Sequence, residues 1–420
     1  MTHFDDLETR SADEREADLF SRLPVLLGDA IKQCPALAAH LENVKVADIN
    51  SRDALAALPV LHKSALMDAQ QKQPPFGGFA NQSLFDGSGN SGGTRIFMSP
   101  GPVWEPQAPG LDPWQAARAM YAAGIRPGQR VHNAFSYHLT PGGFIMDEGA
   151  RALGCLVFPA GVGNTDGQVE AAAFYQPEVY AGTPDFLKIL LDRANEQGTP
   201  LKSITRGMVS GGALFPAMRE EYASRGITVL QSYATADLGV IAYESEKEGE
   251  LLPGMICNEN LIVEIVRPGT NTPLEDGEVG ELVVTNFNPA YPLIRFGTGD
   301  LSCVMHGNSD CGRTNMRIKG WMGRADQRTK VKGMFVDPKQ VGQLVDSQAG
   351  ITKARLVVSR DGDSDSLQLL VESDEGSAID VAALEASMQQ ILKLRGCVEV
   401  AMQSLPNDGL VIADERDYQH

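Results

Sequence analysis

An alternation of strand-like and helix-like segments between Gln129 and Leu230 is the feature that most constrains the fold of this chain. Short apolar runs such as GCLVFPAG (154–161) are separated by amphipathic stretches such as TPDFLKILLDRANEQG (183–198). Strands that alternate with helices in this way are typical of a largely parallel sheet covered by crossover helices. The same pattern predicts a further strand over 130–139, a strand that runs into a glycine turn over 203–214, and a helix over 166–176.

From Leu261 the pattern changes to apolar and polar residues that alternate between turn residues. Three such stretches follow one another: LIVEIVRPGT (261–270), GEVGELVVTNF (277–287) and YPLIRFGTGDLSCVM (291–305). A period of two residues is typical of half-buried strands. The sequence therefore predicts a β-rich subdomain after the parallel sheet.

Beyond Asp326 the pattern begins again. Two alternating strands surround an Asp-Gly turn (354–373), an amphipathic stretch ends in glycine (379–396), and a third strand follows (398–406). We predict an α/β protein with a large N-terminal domain over residues 1–325 and a small α+β domain over residues 326–420.

Charge and hydropathy exclude several classes of partner. The 36 Lys and Arg residues against 54 Asp and Glu residues give a net charge of −18, which repels the phosphate backbone of nucleic acids. No apolar stretch is long enough to span a bilayer, and the polar N-terminus is unlike a secretion signal or a transit peptide. We therefore expect a cytoplasmic protein without a nucleic-acid or membrane partner.

The cysteines suit a reducing compartment, because the six of them are spread along the chain without paired spacing. Cys303, His306 and Cys311 form the nearest thing to a metal cluster. They offer three ligands where structural zinc usually takes four. Core or loop thiols are the favoured interpretation, and zinc stays open at this stage.

The stretch LFDGSGNSGGTRIFMSP (84–100) packs glycines among hydroxyl and amide side chains. Glycine permits positive φ, so such a loop can turn backbone amides and hydroxyls toward one anion, with phosphate as the natural ligand. Thr94 follows Gly93 and not a lysine, so the spacing is not the Walker pattern. By itself the stretch is a weak signal, and a flexible surface loop between domains is the favoured interpretation.

Three more motifs follow the glycine loop in order: SYATADLG (232–239), YPLIRFGTGDL (291–301) and GWMGRADQRTKVKGMFVDPKQV (320–341). Together the four resemble the adenylate-forming superfamily, most closely the acyl-CoA synthetases of the phenylacetate-CoA ligase type. The resemblance covers nearly the whole chain. It implies that a carboxylic acid reacts with ATP to an acyl-adenylate and then with coenzyme A, while the mobile small domain turns about a hinge at Asp326.

The resemblance also assigns residues to the nucleotide. Asp237 stands where the family commonly has a glutamate that reaches Mg²⁺, and a carboxylate is a suitable ligand for that ion. Ala236 stands where a Ser or Thr hydroxyl is usual, so one hydrogen bond to the nucleotide is absent. The residues assigned to ATP or AMP are Ser88, Gly89, Asn90, Ser91, Gly92, Thr94, Gly211, Gly212, Ser232, Tyr233, Asp300 and Arg324.

Residues for the acid and for coenzyme A follow from the same resemblance. The stretch FSYHLTPGG (135–143) resembles an aromatic strand that lines a flat pocket, so we expect an aryl or arylacetic acid. Gly333 is expected to let the pantetheine arm of coenzyme A approach the backbone. The residues expected to line the acid pocket are Tyr137, His138, Gly142, Gly143 and Ala213.

One departure from the family bears on catalysis. Near the C-terminus Leu410 stands where a lysine normally supplies positive charge during adenylation, an electrostatic task that leucine cannot perform. Lys330 and Lys332 are candidates to compensate, and the alternative is that both are solvated charges. The sequence therefore leaves open a degenerate adenylate- or CoA-binding protein, and also acid activation for transfer to a carrier protein. The oligomeric state, for which a homodimer is one candidate, stays open as well.

Overall fold

A computed structural model describes residues 3–84, 94–268, 270–325, 327, 329–361, 364–373, 379–401, 404–406 and 410–416. The chain divides into two compact units. The larger unit comprises residues 1–298 and 302–321, and the smaller unit comprises residues 299–301 and 322–420. The predicted hinge residue, Asp326, lies outside the described residues, so the predicted domain boundary at that position stays a prediction.

The helices of the larger unit are α1 (Ala12–Gln33), α2 (Pro35–His40), α3 (Arg52–Ala56), α4 (Lys63–Lys72), α5 (Ala116–Ala122), α6 (Gly142–Ala152), α7 (Thr165–Tyr175), α8 (Pro184–Glu196) and α9 (Pro216–Ser224). Its strands are β1 (Leu61–His62), β2 (Ile96–Ser99), β3 (Val103–Pro106), β4 (Arg130–Asn133), β5 (Leu156–Pro159), β6 (Val179–Gly182), β7 (Arg206–Val209), β8 (Thr228–Thr235), β9 (Gly239–Tyr243), β10 (Glu246–Lys247), β11 (Glu250–Leu251), β12 (Met255–Cys257), β13 (Leu261–Val266), β14 (Gly280–Asn286), β15 (Phe296–Ser302, which continues into the smaller unit), β16 (Val304–Met305) and β17 (Arg317–Ile318). Among the described ranges, no helix combines the length and the hydropathy that a bilayer span needs.

A nine-stranded sheet with the order β16-β17-β12-β9-β8-β7-β6-β4-β5 forms the centre of the larger unit. The pairs β5–β4, β4–β6, β6–β7 and β7–β8 are parallel, and the remaining pairs are antiparallel. Strands that are buried on both faces, such as β6, need helices on each side of the sheet. The α/β class predicted from the alternation is confirmed.

The strand predicted over 130–139 is shorter in the structure and ends at Asn133. The Asn133 side-chain amide donates to the Gly143 carbonyl (2.8 Å) and to Tyr137 Oη (2.7 Å). These bonds hold the chain in a turn beyond the sheet, so the prediction was wrong for the second half of this stretch. Alternation alone did not reveal that Asn133 would end the strand.

The predicted β-rich subdomain is a four-stranded sheet with the order β1-β15-β14-β13. Arg295 is fully buried beside it. Its Nε and Nη2 atoms donate to the two carboxylate oxygens of Glu264, at 3.0 Å each, and the guanidinium also donates to the carbonyls of Ala56, Leu58 and Asn271. These bonds satisfy a charge that would otherwise be costly to bury.

The N-terminal segment docks on the larger unit through a buried carboxylate. Glu8 Oε1 accepts from Tyr243 Oη at 2.8 Å and from Arg313 Nε at 3.0 Å, and its Oε2 accepts from the Phe4 amide at 2.8 Å. Because Glu8 is fully buried, these partners decide where the described start of the chain, from His3 onward, lies.

The smaller unit contains β18 (Thr329–Val331), β19 (Met334–Val336), α10 (Pro338–Asp346), β20 (Ile351–Asp361), β21 (Ser364–Ser373), α11 (Val381–Leu392), β22 (Cys397–Val400) and β23 (Ile412–Asp414). Its four-stranded sheet has the order β22-β21-β20-β23. Leu384 and Met388 of α11 pack into the core of this unit, as the helical spacing predicts, whereas Val381 is exposed.

We expect Arg295→Met to lower the free energy of unfolding by about 3–5 kcal/mol, because it leaves Glu264 as a buried charge without its partner. Urea denaturation measures the loss. The double variant Arg295→Met/Glu264→Leu should recover much of it. The exposed pair Arg193–Asp166 provides the control, since Arg193→Met removes a guanidinium that water already solvates. Equal losses in the two single variants would contradict the prediction.

Candidate active site

The glycine loop lies mostly outside the described residues, including its expected phosphate-binding members Ser88, Gly89, Asn90, Ser91 and Gly92.

Thr94 is the first described residue after the loop, and it is exposed. Its hydroxyl donates to the Gln107 carbonyl at 2.5 Å, so in this structure it is bound within the protein. The next side chain, Arg95, lies with its guanidinium carbon 4.4 Å from the centre of the Phe144 ring and donates to Gln107 Oε1 at 2.7 Å. These contacts connect the end of the loop to the aromatic residues described below.

The turn after β7 is joined to the neighbouring strand β8. The Ser210 hydroxyl donates to the Ser232 carbonyl at 2.7 Å, and Gln231 Nε2 donates to the Gly212 carbonyl at 2.9 Å. Gly211 has a φ of +72° and is exposed, so its backbone is open to a ligand at a position that favours glycine. Ala213 follows and is half-buried. The carboxyl ends of parallel strands are where open α/β sheets bind ligands.

Tyr233 and Ser232 belong to β8, where Tyr233 is half-buried and Ser232 is buried. The nearby Thr235 is the natural candidate to replace the hydroxyl that Ala236 lacks. Its Oγ1, however, accepts from the Leu238 amide at 3.2 Å, so one of its hydrogen-bonding positions serves the local turn. The missing hydroxyl at Ala236 as a departure from the family pattern stays a prediction.

Asp237 is buried and forms an ion pair. Its Oδ2 accepts from Lys63 Nζ at 2.9 Å, whereas its Oδ1 has no hydrogen-bond partner among the described residues. Glu105 lies near it, also buried, with one oxygen bound to the Ser99 hydroxyl and with Oε2 lacking a described partner. Burial, followed by the negative charge of Asp237, raises the pKa of Glu105 to about 8. Sequence reasoning missed Lys63 and Glu105, because each lies far from Asp237 along the chain.

The cluster has the donor chemistry that Mg²⁺ prefers. Two buried carboxyl oxygens, Asp237 Oδ1 and Glu105 Oε2, are without described partners, and hard oxygen ligands are those that Mg²⁺ takes. The ammonium of Lys63 holds the other Asp237 oxygen. Because the pKa of Glu105 is about 8, its carboxyl must lose a proton before it can bind a cation, whereas Asp237 Oδ1 offers an oxygen without that step. A divalent cation at Asp237 stays a prediction.

Tyr137 and its neighbours form an aromatic wall at the start of α6. The Tyr137 hydroxyl donates to Asp147 Oδ2 at 2.9 Å, and the ring meets Phe144 edge to face with centroids 5.1 Å apart. Burial raises the pKa of Tyr137, so the phenol is neutral at neutral pH. At Gly143 a Cβ would lie 2.7 Å from the Ser136 carbonyl oxygen and 2.8 Å from the Tyr137 ring, so only glycine fits this approach.

Phe135 joins this wall to the glycine turn, and sequence reasoning did not single it out. A Cβ at Gly142 would lie 3.8 Å from the Phe135 ring, and a Cβ at Gly211 would lie 3.9 Å from the same ring. Gly161 approaches the other aromatic residue, Tyr137, with a Cβ distance of 4.0 Å. The structure thus places Gly142 and Gly211 beside the Phe135 ring.

His138 is exposed, and its amide donates to the Ser136 hydroxyl at 3.1 Å. The structure therefore places its side chain at the surface, beyond the buried part of the aromatic wall.

The ribose-binding candidates belong to the smaller unit. Asp300 is buried, and its Oδ1 accepts from Arg324 Nη1 at 2.7 Å. Backbone bonds from Leu301 to Gly323 and from Ala325 to Gly299, at 2.8 Å each, hold the two segments together. The structure brings Asp300 and Arg324 into one ion pair, and their role toward ribose stays a prediction.

Lys330, Lys332 and Gly333 occupy the hairpin β18–β19. Lys330 is exposed, with Nζ 5.9 Å from the centre of the Phe335 ring. Lys332 and Gly333 form the turn, with φ of +48° and +84°, and a Cβ at Gly333 would meet open space. The open backbone at Gly333 is compatible with close approach of a ligand.

Leu410 is exposed, and its carbonyl accepts from Arg355 Nε at 3.1 Å. Because the Leu410 side chain is exposed, its hydrophobic contribution to stability is small.

No group of three His, Cys, Asp or Glu side chains in the described ranges is arranged to hold a metal ion. Cys303 is buried, His306 is exposed with Nδ1 3.8 Å from an Asp276 oxygen, and Cys311 contacts Arg313. We therefore assign no zinc site to these three residues.

Comparison with known proteins identifies the family. The sequence profile described as "AMP-binding enzyme" matches residues 149–289. The phenylacetate-coenzyme A ligase of Escherichia coli (strain K12) is 30% identical over 394 residues, which cover 90% of this chain and 86% of that protein. The chain belongs to the phenylacetate-CoA ligase family of adenylate-forming enzymes.

Other similarities agree with this membership. The phenylacetate-coenzyme A ligase of Thermus thermophilus is 32% identical over 264 residues, which cover 62% of this chain and 59% of that protein. The crystal structure of 2-hydroxyisobutyryl-CoA ligase in complex with 2-HIB-AMP and CoA has a TM-score of 0.73 at 23% identity, and the match covers 98% of this chain and 92% of that one. This structural similarity confirms the predicted fold.

We expect Lys63→Met to lower the free energy of unfolding by about 3 kcal/mol, because it leaves the buried Asp237 carboxylate without its cation. Lys63→Met/Asp237→Asn should recover most of the loss, since neither charge then remains. Chemical denaturation without added divalent cation measures both, and Lys72→Met at the other end of α4 is the control. If Lys63→Met is no less stable than Lys72→Met, the ion pair between Lys63 and Asp237 does not contribute to the free energy of unfolding.

Proposed function

We propose that this protein is an ATP-dependent ligase that joins an aryl or arylacetic acid to coenzyme A through an acyl-adenylate. The observation that carries the proposal is the position of the Phe135 ring, which lies 3.8 Å from where a Cβ would stand at Gly142 and 3.9 Å from where one would stand at Gly211, between the aromatic wall and the glycine turn at the carboxyl end of β7. Membership of the family supports the reaction, in which an acid held at the aromatic wall is joined to AMP beside the glycine turn.

The first step joins the acid to the nucleotide. A carboxylate oxygen attacks the α-phosphorus of ATP, the bond to the bridging oxygen breaks, and pyrophosphate leaves. In this step the turn at Gly211 and Gly212 lets the adenylate lie against the backbone, and Asp300 accepts from the ribose hydroxyls. When bound, Mg²⁺ would neutralise phosphate charge, with Asp237 as its protein ligand.

The second step forms the thioester. The sulfur of coenzyme A attacks the acyl carbon, the thiol proton is lost, and the bond to AMP breaks. Gly333 offers open backbone to the pantetheine arm. Between the two steps the small domain rotates about Asp326, so that different residues of this domain face the adenylate in each step.

The aromatic wall supports a planar acid. The rings of Phe135 and Tyr137 offer apolar surface and stacking to a flat acyl group. The Tyr137 hydroxyl already donates to Asp147 and accepts from Asn133, so it contributes its ring more than a free hydrogen bond. Because the relatives are named as ligases, a degenerate binding protein without turnover is not favoured.

Pyrophosphate release tests the proposal directly. We expect release from ATP and Mg²⁺ in the presence of phenylacetate or benzoate, with AMP as the nucleotide product and a thioester when coenzyme A is added. Straight-chain acids of similar size should react more slowly, because they do not stack on the wall. Asp300→Ala should weaken nucleotide binding, with Asp310→Ala as a control at an exposed aspartate. ADP as the product, or no binding of ATP at all, would refute the proposed reaction.

We expect Leu410→Lys to raise the rate of adenylation by up to about 10²-fold, since it adds a cation where charge develops between carboxylate and phosphate. The rate of thioester formation from supplied acyl-adenylate should not change. Single-turnover measurements separate the two steps, and Leu410→Met controls for side-chain length. If adenylation by Leu410→Lys equals that by Leu410→Met, the missing lysine does not limit this protein.

A further inference from the structure

Cys311 lies where three polar groups converge on its sulfur. Its Sγ is 3.2 Å from Ser309 Oγ, 3.6 Å from Ser245 Oγ and 3.4 Å from Arg313 Nη1. Both serines are buried, whereas Cys311 is partly exposed. None of these residues belongs to the candidate active site.

Arg313 supplies a second, independent observation. The residue is only 3% exposed, its Nε donates to Glu8, and its Nη1 contacts Cys311 Sγ. Its Nη2 is buried and has no hydrogen-bond partner among the described residues. A buried donor without a partner is costly, and this one is on the guanidinium that touches the sulfur. An oxygen atom added to Sγ would be an acceptor within the range of that guanidinium.

The charged groups around Cys311 favour its thiolate. Arg313 is the nearest cation, and it is shared with Glu8, which also binds Tyr243. The ring of His3 approaches from the N-terminal segment, with Nε2 3.0 Å from the Cys311 carbonyl oxygen. Burial raises the pKa of the Cys311 thiol, but the hydrogen bonds of the two serines and Arg313 outweigh it, and the pKa falls below its ordinary value.

The other cysteines provide a contrast within the same chain. Burial raises the pKa of Cys34 and Cys155 to about 11 and that of Cys257 to about 12. Cys397 is exposed and belongs to the smaller unit. Cys311 therefore differs from these three buried thiols because its pKa is lowered and the residue is partly exposed. It differs from Cys397 in the hydrogen-bonding partners of its sulfur.

We propose that Cys311 is a peroxide-reactive modification site, at which a hydroperoxide oxidises the thiolate to a sulfenic acid that Arg313 stabilises. The sulfur attacks one peroxide oxygen, the S–O bond forms and the O–O bond breaks. With hydrogen peroxide the second oxygen leaves as hydroxide, which takes up a proton to become water. Sulfur loses two electrons and the peroxide gains them.

Cysteine-resolved labelling of the intact native protein tests the proposal. Iodoacetamide should modify Cys311 with a pH midpoint below that of Cys397, as measured by mass spectrometry of peptides from samples quenched along a pH series. After dilute hydrogen peroxide, dimedone should label Cys311 several-fold more than Cys397. Absence of a dimedone adduct at Cys311, or a pH midpoint no lower than that of Cys397, would overturn the proposal.

Variants of the hydrogen-bonding partners test whether they, and not exposure alone, make the Cys311 sulfur reactive. Ser309→Ala and Ser245→Ala each remove one hydrogen-bonding partner without leaving a buried charge, so each should raise the pH midpoint of Cys311 and leave that of Cys397 unchanged. Arg313→Lys keeps a cation but removes the planar donor pair, and it should reduce the dimedone adduct. Protection of the buried Cys257 from iodoacetamide confirms that each variant is folded. Unchanged Cys311 profiles in the folded Ser309→Ala, Ser245→Ala and Arg313→Lys variants would refute the role of the cluster.

Discussion

The parallel pairing of β7 with β8 is the constraint on which the candidate site depends. It sets the carboxyl ends of the two strands side by side, so that the Ser210 hydroxyl reaches the Ser232 carbonyl. The turn at Gly211 then lies beside Phe135, which follows the parallel strand β4. A one-residue slip between β7 and β8 would turn these side chains to the other face of the sheet and separate the turn from the aromatic wall.

Buried charge is the second organising feature, and the principal buried charges are matched. Arg295 with Glu264 anchors the β-rich sheet, Glu8 with Arg313 anchors the N-terminal segment, and Lys63 holds Asp237. Such pairs add little to stability compared with apolar groups of the same shape, but each is costly to break. They therefore contribute to the specificity of the fold, because they fix the positions of segments that hydrophobic contacts alone would allow to shift.

The candidate site combines two kinds of chemistry in the larger unit. The aromatic wall is apolar and its one phenol is already hydrogen-bonded, which suits a flat acyl group. Asp237 and Glu105 each have a buried carboxyl oxygen without a partner among the described residues, which suits a cation once Glu105 has lost its proton. An enzyme that joins an acid to a triphosphate needs both, because the acyl group and the phosphates have opposite solvation requirements.

The sequence by itself determined the α/β class, the β-rich subdomain and the family, because these depend on local periodicity and on motifs read in order along the chain. It also singled out Tyr137, Gly143 and Gly211 as candidates, and their roles toward the acid and the nucleotide stay predictions. Only the tertiary structure decided that the β4 strand ends at Asn133, that the Phe135 ring lies beside the Gly211 position, and that Lys63 and Glu105 accompany Asp237. Each of these depends on contacts between residues distant in the chain or on one side-chain hydrogen bond, and neither leaves a periodic trace in the sequence.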